Sequence, residues 1–150
     1  MVSRGVIDRF LEQRRLALAG ASRGGSKFGN TVLRELRGKG YDIIPVHPEA
    51  RQIDGVACRA SLADLPEGVE GLVLVVPPAQ TERLLREAAA HGIRRAWIQP
   101  GAESPAALEI CREAGIEAVH GVCILMFAEP AGWIHRLHRG INRLTGRLPR

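Results

Sequence analysis

The chain has 150 residues, of which 45% are hydrophobic and 25% are charged. This composition is that of a soluble globular protein, and it excludes a disordered chain, a collagen-like repeat and a small disulfide scaffold. The net charge of +5 is unevenly placed, because the basic and acidic side chains of residues 1–129 balance, whereas residues 130–150 carry five arginines and no acid. We therefore expect one neutral domain at 1–129 and a basic C-terminal segment at 130–150.

Three features predict a cytoplasmic protein. The cysteines Cys58, Cys111 and Cys123 are odd in number and widely spaced, which indicates reduced thiols and argues against a zinc site. The longest apolar stretches, at 71–79 and 122–128, are too short to cross a bilayer. The charged N-terminus does not have the pattern of a signal peptide.

Helix and strand patterns alternate along the chain. A helix is predicted within Met1–Arg14, where apolar residues recur on one face. Five strands are predicted at Leu16–Ala19, Tyr41–Val46, Gly71–Val76, Arg95–Ile98 and Ile116–Val119. Between them, helices are predicted at Thr31–Lys39, Leu62–Leu65, Pro77–His91 and Pro105–Gly115. This order predicts an α/β fold, a Rossmann-like, doubly wound, parallel five-stranded sheet that binds ligands at the carboxyl ends of its strands.

The segment from Gly20 to Asn30 follows the first strand and precedes a helix. Its glycines allow backbone amides to approach a phosphate, and the helix N-terminus adds a favourable dipole. Ser22 contributes a hydroxyl donor, while Arg23 and Lys27 contribute positive charge. The composition therefore predicts a phosphate-binding loop, although a glycine-rich turn without a ligand remains the alternative.

This glycine loop matches neither of two common nucleotide-binding patterns. It has no Gly-x-Gly-x-x-Gly, since Ser22 stands where the second glycine would be, and no Gly-Lys-Ser/Thr. The second strand ends in Val46-His47-Pro48, which lacks the acid that would hold the ribose of NAD. Binding of NAD(P) is therefore the less favoured alternative.

Two further loops are predicted at the same end of the sheet. Val76-Pro77-Pro78 ends the third strand, and its prolines either form a stiff apolar rim at the site or simply end the strand and begin a helix. Gln99 and Gly101 follow the fourth strand. The Gln99 amide can both donate to and accept from an amide-bearing ligand.

Taken together, the loops resemble the CoA-binding domain family, small Rossmann-like proteins related to the CoA-binding domain of succinyl-CoA synthetase alpha subunits. The resemblance runs from about Leu16 to Cys123, and each motif is weak alone whereas their joint order is specific. In chain order the motifs are Gly20-Ala21-Ser22-Arg23, Lys27-Phe28-Gly29, Val46-His47-Pro48, Leu62-Ala63-Asp64-Leu65-Pro66, Val76-Pro77-Pro78, Trp97-Ile98-Gln99-Pro100-Gly101 and Cys123.

This resemblance implies that CoA, or an acyl-CoA, is the ligand. It places the glycine loop on the nucleotide phosphates and the proline loop against the adenine or pantetheine. The family often has Asn at the position of His47 and a polar pair at the position of Gly121-Val122, so this chain departs from it at both ends of the site. The predicted cofactor-binding residues are Gly20, Ala21, Ser22, Arg23, Lys27, His47, Pro48, Val76, Pro77, Pro78, Gln99 and Gly101.

Cys123 is the candidate catalytic residue. It follows the fifth strand, and His120 lies three residues before it, so the two could form a nucleophile and base. The alternatives are a small buried apolar residue and a thiol that forms a mixed disulfide with CoA. Phosphoryl or acyl transfer is not expected, because the domain that carries the phosphorylated histidine in the synthetase family is missing from this sequence.

Trp133–Leu144 in the C-terminal segment has the pattern of an amphipathic helix, with arginines on its other faces. It could pack on its own domain or on a second subunit of a homodimer. Peripheral contact with an anionic membrane is a less favoured alternative, and sequence-specific nucleic acid binding is not expected. His135 and His138 are spaced for a metal pair, but without a third ligand nearby we predict no metal site.

Three functions remain open from the sequence. The favoured one is a non-catalytic CoA or acyl-CoA binding protein that serves as a carrier, sensor or subunit. The second is an enzyme that uses a bound thioester or a nicotinamide cofactor, with Cys123 or His47 as the working group. The third is an interaction protein whose function lies in the basic segment.

Overall fold

The computed structural model describes residues 2–129. It contains four helices, α1 (Arg4–Glu12), α2 (Phe28–Gly38), α3 (Pro78–Ala90) and α4 (Pro105–Ala114). The strands are β1 (Arg15–Ala19), β2 (Asp42–Val46), β3 (Gln52–Ile53), β4 (Val56–Ala57), β5 (Gly71–Leu74), β6 (Arg95–Ile98) and β7 (Glu117–His120). Short 3₁₀ turns lie at Leu62–Asp64 and Ile124–Met126.

Five of the strands form one sheet in the order β2-β1-β5-β6-β7, and every neighbouring pair is parallel. The predicted α/β fold with a parallel five-stranded sheet is therefore confirmed. The order reverses between β1 and β5, because the chain first runs outward to β2 and then returns past β1 to continue on the other side. The loops that follow β1 and β5 consequently diverge at this point, which is where open α/β sheets bind ligands.

The sheet is buried on both faces, which explains the near-continuous apolar character of its central strands. On one face, Leu16 and Leu18 pack with α1 and α2, and Phe10 meets Trp97 edge-on with ring centroids 5.4 Å apart. On the other face, Ala17 and its neighbours pack against α3 and α4. The prediction of a sheet with helices on both sides is thus also confirmed.

Helix ends agree with the sequence pattern most closely at α4. Ser104 caps this helix by accepting a hydrogen bond from the Ala107 amide (3.0 Å), Pro105 is its first residue, and Gly115 ends it with φ of 73°. These are the roles that favour Ser before a helix, Pro at its first position and Gly after it.

Helix α2 begins three residues earlier than predicted, at Phe28 instead of Thr31. Its first turn contains Gly29 and Asn30, both buried, so the part of the glycine loop nearest the helix is itself helical. The predicted loop is correspondingly shorter, and the start of α2 is drawn toward the end of β1.

A two-stranded hairpin, β3–β4, was not predicted. It turns at Asp54 and Gly55, whose φ angles are 50° and 77°. Positive φ at both central positions is typical of a two-residue type I′ turn, for which Asp-Gly is a preferred sequence. The signal was present, but strands of two residues are too short to show an alternating pattern.

No helix within residues 2–129 is long and apolar enough to span a membrane. The predicted helix at Trp133–Leu144, the histidines at 135 and 138, and the alternatives of a homodimer or membrane contact through the basic segment lie outside the described residues.

Candidate functional site

A cavity of about 330 Å³ opens at the carboxyl ends of β1, β2 and β5. It therefore lies at the point where the strand order reverses. Its lining comes from the loops after these three strands, the segment at 60–61 and one face of α3. The lining residues are Ala19, Gly20, Ala21, Ser22, Lys27, Val46, His47, Pro48, Glu49, Ala60, Ser61, Val75, Val76, Pro77, Gln80, Arg83, Leu84 and Glu87.

Two glycines allow close backbone contacts in the wall of this cavity. Gly20 has φ of 123°, and a Cβ there would lie 2.2 Å from the carbonyl oxygen of Val75. A Cβ on Gly29 would lie 2.2 Å from the carbonyl oxygen of Gly20. Because glycine has no side chain, the backbones after β1, after β5 and at the start of α2 can approach one another at these two positions. The N-terminus of α2 therefore lies beside the glycine loop.

Asn30 joins the glycine loop to α2 by hydrogen bonds, a role that was not predicted. Its Oδ1 accepts hydrogen bonds from the Ser22 amide (2.8 Å) and the Ser22 hydroxyl (3.1 Å), while its Nδ2 donates to the Ser22 carbonyl (2.9 Å). The side chain is fully buried. An Asn in the first turn of a helix that follows a glycine loop was the available signal, since Asn commonly hydrogen-bonds nearby backbone.

The hairpin turn reaches the same cluster. Asp54 Oδ2 accepts from Asn30 Nδ2 and from Arg34 Nη1, both at 3.1 Å, and Arg34 also donates to the Gly25 carbonyl (3.3 Å). We call Ser22, Asn30, Arg34 and Asp54 the loop clamp. It ties the glycine loop, α2 and the β3–β4 hairpin into one hydrogen-bonded unit.

The segment after β2 presents His47 to the cavity. Its Nδ1 accepts hydrogen bonds from the amides of Glu49 (3.1 Å) and Ala50 (3.0 Å). These bonds leave the proton of the neutral imidazole on Nε2, which makes Nε2–H a donor for a ligand. Pro48 lines the cavity beside it.

The charged side chains that line the cavity within residues 2–129 are Lys27, Glu49, Arg83 and Glu87, and all but Lys27 are in ion pairs. Arg83 and Glu87 pair along α3 (3.3 Å), and Arg23 of the glycine loop pairs with Glu49 (3.7 Å). Lys27 stands at the N-cap position of α2 with its side chain exposed. Among the described residues it has no ion-pair partner, so its ammonium group is available to an anion at the helix N-terminus.

Glu49 provides an acid after the second strand, where none was predicted. Val46-His47-Pro48 contains no acid, but Glu49 follows directly and its residue lines the cavity. An acid at the end of the second strand is the usual partner of a ribose hydroxyl in this type of fold. Glu49 was not among the predicted site residues, because it lies one residue beyond the Val46-His47-Pro48 motif.

The proline loop contributes Val76 and Pro77 to the cavity, whereas Pro78 begins α3 outside the lining. Pro77 adopts extended backbone angles before the helix, and its carbonyl oxygen accepts from the amides of Gln80 and Thr81. The loop thus supplies the apolar rim that the sequence suggested and, at the same time, the start of the helix.

Gln99, Gly101, Arg23 and Cys123 are not among the cavity-lining residues. Gln99 is buried, and its side-chain amide is occupied: Oε1 accepts from the Ile124 amide (2.7 Å) and Nε2 donates to Cys123 Sγ (3.3 Å). Its amide therefore positions the segment after β7. Cys123 has the Gln99 amide as its hydrogen-bond partner, and no hydrogen bond joins Cys123 to His120 within residues 2–129.

The other thiols are packing residues. Cys111 is buried in α4, and burial raises the pKa of its thiol to about 11. Burial also raises the pKa of Cys58. Residues 2–129 hold no cluster of three or more His, Cys, Asp or Glu side chains that could bind a metal ion.

Comparison with known proteins assigns this chain to a family. The family model described as a CoA binding domain matches residues 14–129. The chain belongs to this family. The match includes the whole sheet and every loop that lines the cavity, so the recognition from the sequence is confirmed.

Curated relatives are much longer enzymes. Acetate–CoA ligases [ADP-forming] I and II of Archaeoglobus fulgidus are 25% identical over 130 residues (80% of this chain) and 32% identical over 113 residues (67% of this chain). A trans-feruloyl-CoA synthase from an unknown prokaryotic organism is 31% identical over 124 residues, or 79% of this chain. This chain spans only 19%, 17% and 18% of these relatives, respectively.

Solved structures of small proteins match over nearly their whole length. A conserved hypothetical protein from Pyrococcus furiosus is 39% identical with a TM-score of 0.72, covering 75% of this chain and 97% of that one. A Thermus thermophilus protein is 30% identical with a TM-score of 0.74, covering 83% and 96%. A hypothetical protein from Pyrococcus horikoshii is 28% identical with a TM-score of 0.77, covering 83% and 89%. The fold thus occurs both as a small protein and as one region of long ligases.

Proposed function

We propose that this chain binds CoA in the cavity at the ends of β1, β2 and β5, and that it acts as a binding module without catalysis of its own. The observation that carries the proposal is the cavity itself. It lies where the strand order reverses, between the glycine loop at the start of α2 and the proline loop. Membership of the CoA binding domain family supports the choice of ligand.

The chemistry of the wall suits the two ends of CoA. Lys27 and the N-terminus of α2 offer positive charge and backbone donors to the pyrophosphate. Val76, Pro77 and Leu84 give an apolar surface for the adenine or the pantetheine arm. His47 Nε2–H provides a directed donor between these parts.

A non-catalytic role is supported by the position of the candidate nucleophile. Cys123 lies outside the cavity lining, and its sulfur takes a hydrogen bond from Gln99 instead of facing a histidine base. Within residues 2–129, this candidate nucleophile thus has no hydrogen-bonded histidine base of the kind that activates a catalytic thiol.

A nicotinamide dinucleotide is the second candidate, and Glu49 is the observation that favours it. A carboxylate after the second strand suits a ribose with free hydroxyls, as in NAD. It suits the phosphorylated ribose of CoA less well. The two candidates are distinguished by direct binding.

The first test is calorimetric titration of the purified protein with CoA and with NAD at one fixed salt concentration. We expect CoA to bind and NAD not to bind. Substitution Lys27→Gln should weaken CoA binding by about tenfold, the effect of losing one charge-assisted hydrogen bond to a phosphate.

Arg37→Gln is the matched control for Lys27→Gln. It removes one positive charge from an exposed position on the same helix, about 14 Å along the axis from the site, so CoA affinity should stay unchanged. Binding of NAD without CoA would replace the proposal by the second candidate. Absence of binding to both would contradict both candidates.

A further inference from the structure

The ion pair between Arg23 and Glu49 lies at the end of β2, where Glu49 lines the cavity. The two charged groups lie 3.7 Å apart, and both side chains are largely exposed, at 61% and 70%. Arg23 comes from the glycine loop, whereas Glu49 follows the strand on the far side of β1. The pair therefore connects the glycine loop with the loop after β2, and both loops contribute to the cavity wall.

In doubly wound sheets, residues at the end of the second strand commonly contact the ribose of a bound nucleotide. A carboxylate there accepts hydrogen bonds from the hydroxyls of the ribose, and an arginine there accommodates a phosphate attached to that ribose. This chain has both groups, and each is held by the other. A ribose with free hydroxyls can donate to Glu49, whereas a ribose phosphate needs the Arg23 guanidinium and meets the negative charge of Glu49.

We propose that the Arg23–Glu49 pair sets the preference of this site between nucleotides with and without a phosphate on the ribose, with Glu49 acting against the phosphate and Arg23 acting for it. This inference rests on the proposed function and names a specificity determinant within that site. Its consequence is a weaker preference for CoA over dephospho-CoA, which lacks the 3′-phosphate, than Arg23 alone would give.

The other charged side chains of the cavity are not assigned a role in distinguishing CoA from dephospho-CoA. Glu87 pairs with Arg83 on α3, which follows β5 and not β2. Lys27 stands at the α2 N-terminus, where the pyrophosphate shared by CoA and dephospho-CoA would bind. Lys27 would therefore meet the same group in both ligands, whereas the pair at the end of β2 is placed to distinguish them.

The test is calorimetric titration with CoA and with dephospho-CoA at one salt concentration, using the wild type, Glu49→Gln and Arg23→Gln. Glu49→Gln should raise the affinity ratio of CoA to dephospho-CoA by about two- to fivefold, the range expected for an exposed charge pair. Arg23→Gln should lower that ratio by a similar factor. Both side chains are largely exposed, so both variants should fold normally.

Glu109→Gln is the matched control, since it also removes the acid of an exposed pair with arginine, but on α4 outside the cavity. It should leave the ratio unchanged. An unchanged ratio in Glu49→Gln, or an equal change in Glu109→Gln, would overturn the inference while leaving CoA binding intact. If neither CoA nor dephospho-CoA binds the wild type, the proposed function itself is wrong and the inference falls with it.

Discussion

Gly29 illustrates how one residue sets the geometry of the site. It lies in the first turn of α2, where a Cβ would meet the backbone of Gly20 and Ala21 at 2.2–2.7 Å. Backbone atoms cannot move aside as the end of a flexible side chain can. The contact between α2 and the loop after β1 therefore depends on the absence of a side chain at this position.

Gly29→Ala should lower the free energy of unfolding by about 1–3 kcal/mol, as other over-packed positions do, and should weaken CoA binding because the loop is displaced. Gly38→Ala is the matched control on the same helix, where a Cβ would meet nothing within 4 Å. It should be neutral or stabilising by up to about 1 kcal/mol, since Ala favours helix over Gly. Urea denaturation measures both, and equal stability of the two variants would contradict the packing argument.

At the scale of elements, the β3–β4 hairpin supports the glycine loop from the side. Its turn residue Asp54 accepts hydrogen bonds from Asn30 and Arg34, so the loop clamp joins the hairpin turn to the glycine loop. The hairpin has only two residues in each strand, which is too little to be stable alone. Its contribution is thus to order the glycine loop.

Asp54→Asn keeps a residue that tolerates positive φ but removes the charge that holds Arg34. We expect faster amide hydrogen exchange in residues 22–26 and CoA binding weakened by about two- to fivefold, the size of one exposed ion pair. Asp42→Asn is the control, because Asp42 pairs with Arg15 at the other end of β2. Hydrogen exchange in residues 22–26 should be the same in Asp42→Asn and the wild type; loss of protection there in both variants would refute the specific role of Asp54.

Elements with strong periodicity were predictable from the sequence, and those made by tertiary contacts were not. The sheet strands appear at or within two residues of their predicted ends, because runs such as 72–76 are apolar for burial on both faces. The early start of α2 was missed since it depends on Gly29 meeting Gly20 across the loop. No local pattern records that contact.

The candidate site shows the same division. The glycine loop, His47, Pro48 and the proline loop could be placed at one edge because a parallel sheet gathers its carboxyl ends. The role of Gln99 could not, because a polar residue after a strand suits a ligand and a buried hydrogen bond equally well. Only its bonds to Ile124 and Cys123 show which partner it has.

At the scale of the whole molecule, the N-terminal helix is tied to the last strand. Arg9 on α1 donates two hydrogen bonds of 2.9 Å to the carboxylate of Glu117 on β7, and Arg95 lies 3.6 Å from the same group. The hydrogen bonds from Arg9 lower the pKa of Glu117, and the charges of Arg9 and Arg95 lower it further. The pair thus joins segments 108 residues apart in the sequence.

This pair predicts a pH-dependent contribution to stability. Because the pKa of Glu117 is lower in the folded state, its contribution is complete above the ordinary glutamate value of 4.5 and is lost as the pH falls through the lower folded value. Glu117→Gln should therefore destabilise the protein by about 0.5–1 kcal/mol at pH 7, with the difference from wild type shrinking below pH 4.5.

Glu35→Gln, at an exposed position on α2, is the control for this effect and should match the wild type at neutral pH. Denaturation curves at pH 7 and in steps below pH 4.5 provide the comparison. A difference between Glu117→Gln and wild type that stays constant down to the lowest pH would show that the ionised carboxylate is not its source.

The edge of the sheet at β2 affects the solubility of variants of the cavity. The Asp42 amide donates toward β1, and since successive amides of a strand alternate in direction, position 45 faces outward, where Pro45 has no amide to offer. The backbone of Arg59 covers this side of β2. Its amide donates to the Pro45 carbonyl and its carbonyl accepts from the His47 amide, both at 2.9 Å. The segment at Arg59, which also holds the His47 amide, therefore protects this strand edge from pairing with another molecule. Substitutions that loosen it will promote aggregation, and precipitation must be separated from loss of affinity when such variants are compared.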